Sequence, residues 1–134
     1  MTQEIGCRRK LLIIDDEVDI LELLKVRFEA VGYDVSIAMS GRSGIDIAMA
    51  KQPDVIILDI MMPGMDGFEV LKRLKDGASP VNNIPVIILS CSAEEKKSEK
   101  ICRKIGAVDY MVKPCDAIKL IDRIDKIVDH QDCV

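Results

Sequence analysis

The stretch Val55-Ile-Ile-Leu-Asp-Ile-Met-Met-Pro-Gly-Met-Asp-Gly67 decides the fold. Four apolar residues run straight into an aspartate, Asp59, just before a Pro-Gly turn. An apolar run without alternation is typical of a strand in a sheet that is covered on both faces. A carboxylate at the end of such a strand lies at the rim of a low-dielectric core, where its ionisation is costly unless another group compensates it. The rest of the sequence has to supply that group.

Short apolar stretches alternate with amphipathic stretches along the chain. Strands are predicted at 11–14, 34–38, 55–58, 85–89 and 108–112, and helices at 18–31, 40–51, 66–74, 93–104 and 116–129. Five βα units in a row predict an α/β fold, a doubly wound five-stranded parallel sheet with five helices on its two faces. In the second helix, Ile45, Ala48 and Met49 are expected to face the sheet.

Composition excludes several classes of protein. The 134 residues are 49% hydrophobic and 31% charged, which indicates one globular domain. The net charge of −4 and the absence of tryptophan argue against direct binding of nucleic acid or of an anionic membrane. Five scattered cysteines without C-x-x-C spacing indicate free thiols in a reducing compartment. With no signal peptide and apolar runs of only about six residues, a cytoplasmic protein is predicted.

Polar side chains follow four of the five predicted strands. In chain order they are Asp15-Asp16-Glu17, Asp59, Ser90 and Lys113. A single aspartate after a strand is a common turn residue or helix cap, but this combination is harder to attribute to capping. In doubly wound folds ligands bind beyond the carboxyl ends of the strands, so these side chains are expected to meet at one edge.

The carboxylates of Asp15, Asp16 and Asp59 would repel one another by a few kcal/mol at an effective dielectric of about 20. Mg²⁺ relieves such repulsion, since it takes oxygen ligands from carboxylates, water and phosphate. Lys113 supplies a further positive charge that can pair with Asp59. The sequence therefore predicts that a metal ion and a lysine compensate Asp59, and that both would stabilise an added phosphate.

These residues together resemble a known family. Asp15-Asp16, the run 58–67, Ser90 and Lys113-Pro114 closely resemble the receiver domain of two-component response regulators. The resemblance covers about residues 9–130 and leaves 1–8 as an amino-terminal extension and 131–134 as a tail. It implies a CheY-like, flavodoxin-like fold with sheet order 2-1-3-4-5.

The resemblance also implies roles for single residues. Asp59 is expected to be the phosphoacceptor, with Lys113 and Ser90 contacting the phosphoryl group. The expected Mg²⁺ ligands are Asp15, Asp16, Asp59 and the backbone carbonyl of Met61. Ser90 and Tyr110 are expected to form the switch, and the bond before Pro114 is expected to be cis.

The function implied is phosphorelay signalling. A sensor histidine kinase or a histidine phosphotransfer protein would donate the phosphoryl group. The surface made by the fourth helix, fifth strand and fifth helix would then bind a downstream protein or a fused output domain, and the fourth and fifth helices could form a homodimer. Such a domain is not expected to be an enzyme with turnover of its own. His130 lies near the end without a companion ligand and is expected to be a surface residue.

Other interpretations stay open. The chain could be the amino-terminal receiver of a larger DNA-binding transcription regulator, for which the run 61–67 is typical. A Mg²⁺-dependent phosphatase that forms an aspartyl phosphate is less favoured, because haloacid-dehalogenase-like enzymes need an Asp-x-Asp motif after the first strand. A flavin module is disfavoured as well, since Asp15-Asp16-Glu17 would repel the flavin phosphate.

Overall fold

The computed structural model of the chain describes residues 8–62, 66–90, 95–113 and 116–129. The expectations for Pro114, for His130 and for most of the two terminal segments concern residues outside these ranges. The strands are β1 (Lys10–Ile14), β2 (Asp34–Ala38), β3 (Val55–Asp59), β4 (Val86–Ser90) and β5 (Asp109–Val112). The helices are α1 (Val18–Ala30), α2 (Gly41–Lys51), α3 (Gly67–Lys75), α4 (Glu95–Ile105) and α5 (Ala117–Val128). Every helix in the described ranges is too short or too polar to cross a bilayer.

The described strands form one parallel sheet in the order β2-β1-β3-β4-β5, which confirms the predicted architecture and strand order. The register aligns the strand ends: Ile14 pairs with Leu58, Asp59 with Leu89, and Ser90 with Val112. The carboxyl ends of β1, β3, β4 and β5 therefore meet at one edge. Asp59 and Ser90 are the last residues of β3 and β4, so each of these strands ends one residue later than the sequence predicted.

Successive residues of each central strand point to opposite faces of the sheet, and each face has its own core. On one face Leu12 and Ile14 pack with buried residues of α2, α3 and α4, including Cys102. On the other face Leu11 and Ile13 pack with buried residues of α1 and α5. Both faces are covered, which is why β3 and β4 are apolar at consecutive positions.

The inward face of α2 differs from the prediction. Met49 is 41% exposed, and the buried residues of α2 are Gly41, Gly44 and Ala48. A Cβ at Gly44 would lie 2.5 Å from Ile14 Cδ1, so this helix approaches β1 too closely for a large side chain at the contact. The expectation for Met49 was wrong because it assumed that the largest apolar residues face the sheet.

Three of the helices, α2, α3 and α5, begin where short polar side chains cap them. Ser40, Asp66 and Asp116 each accept a hydrogen bond from a backbone N–H in the first turn of the helix that follows.

Gly67 lets the start of α3 lie against the backbone at the end of β3. Its N–H donates to the carbonyl oxygen of Ile60 at 3.1 Å. A Cβ at Gly67 would lie 2.3 Å from Ile60 Cα and 2.8 Å from the carbonyl oxygen of Asp59. Only glycine permits this approach of α3 to the backbone at the end of β3.

We expect Gly67→Ala to lower the free energy of unfolding by about 1–3 kcal/mol, because the new methyl group meets backbone atoms that cannot rotate away. Urea unfolding measures this. Gly77→Ala is the matched control, since nothing lies within 4 Å of the added Cβ, and its effect should stay within about 0.5 kcal/mol. Equal effects of the two substitutions would contradict the close contact at Gly67.

Candidate functional site

Three charged side chains from three separate parts of the chain meet at the carboxyl edge of the sheet. Lys113 Nζ lies 2.8 Å from Asp15 Oδ2 and 3.3 Å from Asp59 Oδ2. The Lys113 side chain is 8% exposed, that of Asp15 2% and that of Asp59 3%. The convergence of Asp15, Asp59 and Lys113 was predicted from the order of the strands, and the structure confirms it.

Backbone groups hold the other oxygen of each buried carboxylate. Asp59 Oδ1 accepts a hydrogen bond from the N–H of Met61 at 3.0 Å, and Asp15 Oδ1 accepts one from the N–H of Glu17 at 2.9 Å. The N–H of Lys113 donates to the carbonyl oxygen of Ser90 at 2.7 Å, which fixes the start of the lysine side chain. Each carboxylate thus has one oxygen tied to its own loop and one oxygen near the ammonium group.

Glu17 is a member of the site to which the sequence interpretation gave no role. Its Oε1 lies 2.7 Å from Lys113 Nζ, and its side chain is 56% exposed. It occupies the N-cap position of α1 without making a side-chain cap hydrogen bond. A signal was available in the sequence, since glutamate is not among the residues that favour an N-cap. An acidic side chain with no use in capping is free to serve the adjacent site.

Burial is the main cause of an unusual pKa at Asp59. Burial and, after it, the nearby carboxylate of Asp15 outweigh the N–H of Met61 and the ammonium of Lys113, and the net effect raises the pKa of the Asp59 carboxyl group from 3.8 to about 6. For Lys113, burial acts against the charged form, but hydrogen bonds to Asp15 and Glu17 outweigh it and raise the pKa of the ammonium. The lysine therefore stays charged, while Asp59 titrates close to neutral pH.

The carboxylates form an oxygen-rich cluster. Ligand atoms of Asp15, Glu17 and Asp59 all lie within 4.8 Å of one another, a donor set that fits a hard cation such as Mg²⁺. Asp16 is half-buried and does not belong to this set. The roles predicted for Asp16 and for the carbonyl of Met61 as metal ligands stay predictions.

The two residues of the expected switch lie in the strands on the far side of β3. Ser90 is fully buried at the end of β4. Tyr110, on β5, is 8% exposed, and its hydroxyl has no hydrogen-bond partner in the described part of the chain. Within the described part of the chain, the ring of Tyr110 packs in the apolar cluster that includes Ile88 and Cys102. A buried hydroxyl that stays unsatisfied costs about 1–3 kcal/mol.

A charged network lies beside Tyr110 on the surface made by α4, β5 and α5. The carboxylate of Asp109, on β5, is buried and pairs with Arg103 of α4 and with Arg123 of α5. Arg103 also pairs with Glu99 at 2.9 Å. Asp109 Oδ1 accepts a hydrogen bond from the N–H of Tyr110 at 2.8 Å. The backbone next to Tyr110 is thus joined to both flanking helices.

Comparisons with known proteins agree with this geometry. Residues 11–125 match the family described as the response regulator receiver domain. The receiver domain of Francisella response regulator 1452 is 32% identical, with a TM-score of 0.85 over 93% of this chain and 100% of that chain. Vibrio cholerae chemotaxis protein CheY4 is 28% identical, with a TM-score of 0.81 over 90% and 98%. A receiver domain of a histidine kinase from Syntrophus aciditrophicus is 29% identical, with a TM-score of 0.82 over 92% of each chain.

The pKa of Asp59 predicts a pH-dependent cost. Because folding raises that pKa from 3.8 to about 6, the contribution of Asp59 to stability is complete below about pH 4 and is lost as the pH rises through 6. In metal-free buffer we therefore compare the free energy of unfolding of Asp59→Asn with that of the wild type at pH 4 and at pH 7.5. We expect this difference to move in favour of Asp59→Asn by on the order of 2–3 kcal/mol as the pH rises from 4 to 7.5.

Urea unfolding at the two pH values measures this gain. The same substitution at the exposed Asp46 is the control, and it should show a much smaller change. A gain for Asp59→Asn that is the same at both pH values would contradict the raised pKa.

Proposed function

The chain belongs to the response regulator receiver family, and on that premise we propose that Asp59 accepts a phosphoryl group from a phosphohistidine. The donor would be a sensor histidine kinase or a histidine phosphotransfer protein. The observation that carries the proposal is the pairing of a buried Asp59 with the buried Lys113 at a distance of 3.3 Å. This places a nucleophile and a fixed positive charge side by side.

In the proposed reaction an oxygen of Asp59 attacks phosphorus while the bond from phosphorus to the donor nitrogen breaks. The electron pair of that bond leaves with the donor imidazole, and an acyl phosphate remains on Asp59. There is little other chemistry for the protein to do, so positioning and charge neutralisation dominate the catalysis. The N–H of Met61 holds Asp59 Oδ1, and the ammonium of Lys113 faces the charge that collects on the phosphoryl oxygens.

We also propose Mg²⁺ as the cofactor, held by Asp15, Asp16, Asp59 and the carbonyl of Met61, with Glu17 close to the same oxygens. When bound, the ion would supply positive charge to the phosphoryl oxygens. The charges of the site support this proposal. Asp15, Glu17 and Asp59 outnumber Lys113, and the phosphoryl group adds a further charge of about −1.5 to −2.

The signal would pass from Asp59 to the surface made by α4, β5 and α5. Ser90, at the end of β4, would turn its hydroxyl towards a phosphoryl oxygen. The packing around Tyr110 would then change, and with it the backbone that Asp109 joins to Arg103 and Arg123. The ring of Tyr110 is buried in this structure, so its change on phosphorylation would begin from that buried position.

The partners of that surface would be a downstream protein, a fused output domain or a second copy of the chain. The proposed activity is that of a signalling domain that is phosphorylated and slowly loses the phosphoryl group, without turnover of an external substrate. A cytoplasmic location belongs to the same proposal.

Acetyl phosphate tests the phosphoacceptor. With Mg²⁺ and acetyl phosphate, the intact mass of the wild type should rise by one phosphoryl group, and that of Asp59→Asn should not change. Asp46→Asn removes an exposed carboxylate and should gain mass like the wild type. Phosphorylation of Asp59→Asn to the same extent would exclude Asp59, and steady release of phosphate from a phosphomonoester would favour the phosphatase interpretation.

Ser90→Ala tests the switch. We expect this variant to gain the phosphoryl mass, because Asp59, Lys113 and the metal ligands remain. The amide NMR signals of α4, β5 and α5 should then shift on phosphorylation in the wild type and stay nearly unchanged in Ser90→Ala. Equal shifts in the two proteins would contradict the role of the Ser90 hydroxyl.

A further inference from the structure

The ammonium of Lys113 is closer to Glu17 than to the proposed phosphoacceptor. Its nitrogen lies 2.7 Å from Glu17 Oε1 and 2.8 Å from Asp15 Oδ2, and both contacts are hydrogen bonds. The distance from the same nitrogen to Asp59 Oδ2 is 3.3 Å. The resting lysine is therefore held towards the loop between β1 and α1, and its contact with Asp59 is the longest of the three.

The three acidic partners of Lys113 differ sharply in burial. The side chains of Asp15 and Asp59 are 2% and 3% exposed, whereas that of Glu17 is 56% exposed. Glu17 thus contacts the ammonium from the solvent side. An ion pair with an exposed partner is weak and is screened by water and salt, so it is the contact of Lys113 that can be exchanged most easily.

The backbone of Glu17 is fixed, but its side chain has no local structural use. The N–H of Glu17 donates to Asp15 Oδ1 at 2.9 Å, and its carbonyl oxygen accepts from the N–H groups of Ile20 and Leu21 at 3.1 Å. The side chain makes no cap hydrogen bond to α1. Its contact in the described structure is with Lys113. The fixed backbone of Glu17 therefore presents its carboxylate to the ammonium of Lys113.

We propose that Glu17 is a positioning residue that holds the ammonium of Lys113 on the solvent side of Asp59, with its hydrogen bonds directed to Glu17 and Asp15, until a phosphoryl group arrives. This inference rests on the proposed function. When Asp59 becomes phosphorylated, Lys113 exchanges its contact with Glu17 for one with a phosphoryl oxygen, while the buried contact with Asp15 is kept. Glu17 therefore slows the gain of the phosphoryl group, and this residue sets how readily the resting domain responds to a donor.

The first test needs neither metal nor donor. In metal-free protein, the side-chain ammonium signal of Lys113 is observed by NMR and is identified by its loss in Lys113→Arg. In Glu17→Gln that signal should shift and its hydrogens should exchange faster with water, because the solvent-side partner is gone. Glu22→Gln removes the same charge from the exposed side of α1 and should leave the signal unchanged.

The second test is the rate of phosphorylation by acetyl phosphate at saturating Mg²⁺. Glu17→Gln should react about two- to fivefold faster than the wild type, the factor expected when an exposed ion pair no longer has to be given up. Glu17→Asp keeps the charge but shortens the side chain by one methylene group, so it should also react faster. Glu22→Gln should react at the wild-type rate.

Three results would overturn the proposal. One is an unchanged Lys113 signal in Glu17→Gln. Another is a wild-type phosphorylation rate in Glu17→Asp, which would mean that the charge of Glu17 acts without its contact to Lys113. A third is slower reaction of Glu17→Gln that added Mg²⁺ restores, which would make Glu17 a metal ligand instead. If the wild type gains a phosphoryl group neither from acetyl phosphate nor from a phosphorylated histidine phosphotransfer protein, the proposed function fails, and the NMR test still decides whether Glu17 holds the ammonium of Lys113.

Discussion

Lys113 joins the last strand of the chain to the loop after the first strand, because its ammonium lies between the buried carboxylates of Asp15 and Asp59. Two like charges that are almost completely buried would otherwise oppose each other across a few ångströms of low-dielectric protein. The ammonium reduces that repulsion but does not remove it, since Glu17 adds a third carboxylate. The site is left with excess negative charge, which favours the binding of a divalent cation and discourages a bare phosphate.

This charge balance depends on the order and register of the strands. Asp15 and Lys113 are 98 positions apart in the chain. The parallel sheet, in which β1, β3, β4 and β5 are neighbours in that order, brings the carboxyl ends of these strands to one edge. The hydrogen bond from the N–H of Lys113 to the carbonyl of Ser90 then sets where the lysine side chain begins. The fold and the chemistry are thus linked through the paired ends of the strands.

Much of this arrangement follows from simple features of the sequence. Apolar runs without alternation predicted the central strands, and the rule that ligands bind beyond the carboxyl ends brought Asp15, Asp59 and Lys113 together. The sequence did not predict the contacts of long or exposed side chains. The contact between Glu17 and Lys113 depends on a rotamer in the folded state. The hydroxyl of Tyr110, which has no partner among the described residues, is buried by the packing around β5. Neither pattern repeats with the period of a helix or a strand.

The amino ends of the strands, opposite the carboxyl edge that holds Asp15 and Asp59, bring the two ends of the described chain together. Near them, the carbonyl of Arg9 accepts a hydrogen bond from the N–H of Asp34, and the hydroxyl of Tyr33 donates to Asp125 Oδ1 at 2.5 Å. The start of β1 and the last turns of α5 therefore lie together, at the amino ends of the strands and across the sheet from Lys113. The two ends of the described chain, at residues 8 and 129, therefore lie on the side of the sheet away from Asp15 and Asp59. A phosphoryl donor of the kind proposed would reach the carboxylates from the opposite side of the sheet.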